Sequence, residues 1–108
     1  MAEDGSAARP VSAPAPERRQ ALRDVHGDLE RSHRVVLTTH VNADGDGAGS
    51  EVAVALYLED LGCEVAIVNP TPFPDAFAFL LDGRPVWTPE EEEGRRALEE
   101  ADTLLVLD

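Results

Sequence analysis

His40, Asp44 and Asp46 stand within seven residues of one another, in Thr39-His40-Val41-Asn42-Ala43-Asp44-Gly45-Asp46-Gly47-Ala48-Gly49-Ser50. One imidazole and two carboxylates, with no cysteine among them, make a nitrogen-and-oxygen donor set. Such a set suits manganese, magnesium or a similar cation and does not suit a structural zinc or an iron–sulfur cluster. The glycines add a second capability. Gly45 permits the positive φ of a tight turn, and Gly47 and Gly49 let the backbone approach a ligand closely. The amides of residues 47–50 would open a helix amino terminus, which favours anions. Cation ligands beside an anion-binding helix end point to a phosphate ester held next to divalent cations.

Two other readings of the loop fail on spacing. An EF-hand needs an acidic residue at the twelfth loop position, and that position is Ala55. A dinucleotide fingerprint needs Gly-x-Gly-x-x-Gly, and Gly45, Gly47 and Gly49 have the wrong last interval. Asp-Gly-Asp-Gly is also a common turn. What favours chemistry is the joint placement of His40, Asp44 and Asp46 directly after the apolar run Val35-Val36-Leu37. That junction is the carboxyl end of a strand, where open α/β sheets hold their ligands. Asp108 closes a second apolar run, Leu104 to Leu107, and in a neighbouring parallel strand it would share the crevice.

The elements that must position these residues follow from pattern. Pro16 suits a first helical position, and Leu22, Val25 and Leu29 fall on one face of a helix over 16–32. Residues 34–39 read as a strand buried on both faces, as in a parallel sheet. A helix over 47–61 is apolar around most of its circumference and is closed by Gly62. Residues 64–68 form a second strand, and Asn69-Pro70-Thr71-Pro72-Phe73-Pro74 breaks regular structure. Asp75 caps a short helix with Phe77, Phe79, Leu80 and Leu81 on its apolar side, and Gly83 ends it. Val86-Trp87 reads as a minor strand. Thr88 is placed to cap a helix with Pro89 at its first position, running to about Ala101, and a final strand opens at Asp102 or Thr103. This alternation predicts an α/β fold, a Rossmann-like parallel sheet with flanking helices and right-handed crossovers.

Composition sets outer bounds. The chain has 108 residues, 43% of them hydrophobic, and suits one domain. Residues 1–15, rich in Ala, Pro and Ser, read as a disordered tail, and residues 16–108 carry the fold. The net charge is −13 and lysine is absent, which disfavours long duplex nucleic acid as a partner. The amino terminus has no secretory apolar core, and no run reaches the length of about 18 apolar residues that a membrane span needs. A cytoplasmic protein with no membrane partner is the expectation. Cys63 reads as a small buried thiol, since a single cysteine cannot form an internal disulfide. His26 and His33 read as surface histidines, residues 90–93 as a solvated helix start and Trp87 as a core-edge residue.

The motif resembles the first motif of the DHH phosphoesterases, His-x-Asn-Pro-Asp-Gly-Asp followed by a small-residue helix start and Ser. Ala43 stands where that family usually has proline. The helix after the motif and Val68-Asn69-Pro70-Thr71-Pro72-Phe73-Pro74 look most like the nanoRNase and pAp-phosphatase branch. The resemblance spans about residues 22–108 and implies the N-terminal part of a DHH domain. It implies hydrolysis of short oligoribonucleotides, or of the 3′-phosphate of adenosine 3′,5′-bisphosphate, by water activated at two Mn2+ ions, with Mg2+ as an alternative. It makes His40 and Asp44 ligands of one ion, Asp46 a ligand of the other and Asp108 a bridging ligand. Asn42 and Ser50 would orient the loop or touch the phosphate. Exopolyphosphatases and inorganic pyrophosphatases of the same superfamily share these motifs, and a non-catalytic nucleotide-binding module is a third reading. The partner is then a short oligonucleotide or nucleotide phosphate, with a homodimer possible for the full-length protein.

The family's Asp-His-His motif, its fourth-motif aspartate and its substrate-gripping second domain have no counterpart in this sequence. The 108 residues are therefore expected to be a portion of a longer enzyme. With Mn2+ and adenosine 3′,5′-bisphosphate, this polypeptide alone should release phosphate no faster than the blank. Sustained turnover in a phosphate-release assay would contradict that expectation.

Overall fold

The computed structural model describes residues 15–40 and 45–107. Its elements are α1 (Pro16–Arg31), β1 (Arg34–Thr38), α2 (Gly45–Asp60), β2 (Glu64–Val68), a 3₁₀ segment (Asp75–Leu81), β3 (Val86–Trp87), α3 (Glu92–Glu100) and β4 (Thr103–Val106). The four strands form one parallel sheet in the order β3-β2-β1-β4. The α/β, Rossmann-like expectation is met. The tail expected over residues 1–15 falls, apart from Ala15, outside the described residues. Among the described residues no helix is long and apolar enough to cross a membrane.

β1 is central because its side chains are apolar on both faces. Val35, Val36 and Leu37 are all at most 2% exposed. Val35 and Leu37, with Ile67 of β2, meet Ala55 and Leu58 of α2, Leu29 of α1 and Cys63. Fully burying one such Leu or Val side chain contributes roughly 1.5–3 kcal/mol. On the other face Val36 and Ala66 approach Ala97 of α3. The Cys63 thiol is buried and donates to the carbonyls of Leu29 and Ser32, as expected of a packed and unreactive cysteine. Gly62, at φ +94°, ends α2 in the left-handed conformation that glycine tolerates best.

Three local expectations change. Of the predicted α1 face, Leu29 is buried while Leu22 and Val25 are 55% and 47% exposed. The carboxyl end of α1 is tied to the sheet through the Ser32 hydroxyl bonded to Asp28 O and Thr103 Oγ1. Periodicity marks a helix face but does not say what covers it. The short helix after Pro74 is a 3₁₀ turn with no side-chain cap from Asp75, and Phe79 points outward at 76% exposure. It ends at Asp82 (φ 49°) and Gly83 (φ 83°).

The third change is at α3, which begins at Glu92 rather than Pro89. The amide and hydroxyl of Thr88 donate to the Glu91 carboxylate, closing a turn over residues 88–91. α3 then packs Gly94 directly onto that turn. A Cβ at position 94 would lie 2.1 Å from the Thr88 carbonyl oxygen. Because the obstacle is backbone, Gly94→Ala should cost about 3 kcal/mol, the upper end for overpacking. Urea denaturation of the variant against the parent chain measures this.

Candidate functional site

The strand order contains a reversal. From β1 the chain moves outward to β2 and β3, then returns past β1 to place β4 on its far side. The gap between the carboxyl ends of β1 and β4 is therefore the topological switch point, the crevice such sheets use for ligands. Thr38 pairs with Val106, and the Leu107 amide donates to the Thr38 carbonyl at 2.9 Å. The chain thus leaves β4 beside the place where it leaves β1.

His40 lies two residues past β1 at this end of the sheet and is exposed. Asp46 lies in the first turn of α2, also exposed. A cavity of about 190 Å³ is lined by Asp46, Gly47, Ser50 and Leu107. Asp46 and Ser50 are i, i+4 neighbours, so they present one helix face to the end of β4. The opening of α2 also brings backbone amides to this end of the sheet. Gly45 is closely packed, because a Cβ would come within 2.9 Å of the tip of the Phe77 ring and that ring would have to shift. The 3₁₀ segment thereby presses on the start of α2.

Of the sequence-selected residues, the fold brings His40, Asp46 and Ser50 to the carboxyl end of the sheet. Asn42, Asp44 and Asp108 lie outside the described residues. Among the described residues no group of three or more His, Cys, Asp or Glu side chains gathers. The two candidate ligands that are described fit a divalent cation by donor type, one imidazole and one carboxylate, both exposed, and Asp46 lines the cavity. His33 lies at the opposite end of β1, and His26 contacts Tyr57 and Glu30 on the surface. Asp102, also at the amino end of the sheet, accepts the amides of His33 and Arg34 at 2.9 and 3.1 Å. Those amide bonds, the His33 bond foremost, hold its carboxyl below the ordinary range. Trp87 is half-buried and lines a larger cavity of about 550 Å³ that α2 shares with residues 80–85, where Arg84 is already paired to Glu59 at 2.6 Å.

Sequence reading passed over Glu51 and Asn69. Glu51 is 0% and Asn69 1% exposed, and Asn69 Nδ2 donates to Glu51 Oε1 at 2.9 Å. The available signal was the stripe Glu51-Ala55-Leu58, an acid where an apolar residue should pack. Burial raises the Glu51 carboxyl above its ordinary 4.5, and the Asn69 bond opposes this only in part.

No family model matches the sequence, and no curated protein matches it. A crystal structure of an exopolyphosphatase-related protein from Bacteroides fragilis is similar over 82% of this chain, with 26% identity and a TM-score of 0.71. The chain spans 27% of that protein's length. The likeness supports the Rossmann-like fold read from strand order.

The raised Glu51 carboxyl has a defined consequence for stability. Between its unfolded and folded pKa values the folded chain binds more protons than the unfolded chain, so stability from this group falls as pH rises above about 4.5. Glu51→Gln removes that loss. In urea denaturation the variant should gain on the parent chain between pH 4 and pH 7. An unchanged difference would show that Glu51 ionises freely in the fold.

Proposed function

We propose that this chain is the cation- and phosphate-binding part of a metal-dependent phosphoesterase of the DHH type. The observation that carries the reading is the placement of His40, Asp46 and Ser50 around the switch-point crevice, beside the amino end of α2. The likeness to an exopolyphosphatase-related protein supports a phosphate-ester or phosphoanhydride hydrolase.

In this reading His40 and Asp46 hold divalent cations, Mn2+ before Mg2+, with Asp44 and Asp108 completing the set. Bound cations at such a site supply water activation and neutralisation of charge on the phosphoryl oxygens. The chain's own groups do the positioning. The opening amides of α2 bind phosphoryl oxygens, and the Ser50 hydroxyl donates to the same group. The preferred substrate class is a short oligoribonucleotide or adenosine 3′,5′-bisphosphate. A second reading, polyphosphate as substrate, is favoured by the name of the similar solved structure. The rest of such an enzyme would supply the substrate grip.

Manganese titration followed by electron paramagnetic resonance tests the ligand set. The parent chain should bind Mn2+, and His40→Ala and Asp46→Asn should each weaken binding by about tenfold or more. No binding by the parent chain defeats the reading. Calorimetry with Mn2+ present then separates substrates: adenosine 3′,5′-bisphosphate should bind, while binding of polyphosphate alone favours the second reading. Nucleotide binding that ignores Mn2+ would instead identify a non-catalytic module.

A further inference from the structure

The top layer of the interface between α2 and the sheet is polar. Val35 and Leu37 of β1 point into the α2 core, and Thr39 continues their alternation on the same face. Ile67 of β2 does likewise, and Asn69 continues it. On α2 the buried residues are Gly47, Ala48, Glu51, Ala55 and Leu58, and Glu51 is the charged one among them. The three series converge at the carboxyl end of the sheet on Thr39, Glu51 and Asn69, exposed by 4%, 0% and 1%. Below this layer the interface is hydrocarbon. The layer sits at the end of the sheet where β1 stops and α2 begins.

This layer is a poor way to build a core. Thr39 Oγ1, Glu51 Oε2 and Asn69 Oδ1 are buried without a hydrogen-bond partner among the described residues. Orphaned polar atoms are destabilising, and apolar groups of like shape would serve stability at least as well. What the polar layer does provide is direction. The bond from Asn69 to Glu51 joins the second turn of α2 to the end of β2 in one orientation. Apolar packing there would let the helix end slide. β2 is in turn fixed to β1 by parallel pairing, so Glu51 references the start of α2 to the strand that carries His40.

We propose that Glu51, acting through its buried bond to Asn69, is a positioning residue that sets Asp46 and the opening amides of α2 against His40. The proposal rests on the reading of His40 and Asp46 as cation ligands. Glu51 touches no substrate in it. A positioning role separates stability from binding, whereas a purely structural role moves them together.

The test compares the parent chain, Glu51→Gln and the double variant Glu51→Met with Asn69→Val. Gln retains a carbonyl for Asn69, so Mn2+ affinity should stay within about twofold. The double variant should melt at or above the parent Tm yet bind Mn2+ at least about tenfold more weakly. Its Gly49 and Ser50 amides, the first bonded ones of α2, should exchange at least about tenfold faster. Retained Mn2+ affinity in a folded double variant overturns the proposal, and so does a joint loss of Tm and affinity. Should the double variant not fold, exchange in the parent chain decides. Protection of Gly49 and Ser50 close to that of Ala55 supports a fixed helix start, and a frayed first turn overturns it. Should the parent chain bind no Mn2+, the functional reading fails by itself. The exchange comparison then still decides whether Glu51 orders the start of α2.

Discussion

β1 hydrogen-bonds in parallel to β2 on one side and β4 on the other, and the candidate site follows from that double pairing. A parallel register sets all three carboxyl ends at one edge of the sheet. It also obliges the chain to return to the amino end after each strand, through α2 and α3. The helix starts then stand with the strand ends. His40 and Asp46 come from either side of one such turn, and Leu107 comes from the end of a strand remote in sequence. Among the described residues of the site, none has a positive φ, and Gly45 is closely approached by Phe77.

The two ends of the sheet divide the labour. At the amino end Asp102 accepts amides from His33 and Arg34, and Ser32 bonds to Thr103, so polar groups there are paired and serve the fold. In the middle, Leu37, Ile67, Ala55 and Leu58 are sealed from water. At the carboxyl end the core gives way to Thr39, Glu51 and Asn69, whose buried oxygens include three without a partner among the described residues. Stability and order are traded against each other along one short interface. Local rules break most often where a chain is shaped for a ligand, and the broken rule lies under the candidate site.

The motif was legible because its residues are contiguous. Donor type, glycine spacing and the preceding apolar run can be read without knowing any long-range contact. The continuous apolar character of residues 35–37 likewise announced a strand covered on both faces. Glu51 was passed over because a lone acid at a helix start has an ordinary explanation, favourable interaction with the helix end. Only its burial against Asn69, a residue on another strand, shows that it does something else. Leu22 and Val25 erred in the opposite direction. Their spacing is correct for a helix face, but among the described residues only the Leu29 end of that face is buried in the core.

By itself the sequence determined the donor chemistry, the alternation of helix and strand, and the parallel sheet, since periodicity and side-chain type are local properties. Tertiary structure decided the strand order, and with it which strand end faces His40. It also decided that α3 starts only where Gly94 meets the Thr88 carbonyl, and that Glu51 is buried against Asn69. These depend on which surfaces exclude water from one another, and that is a property of pairs of distant residues.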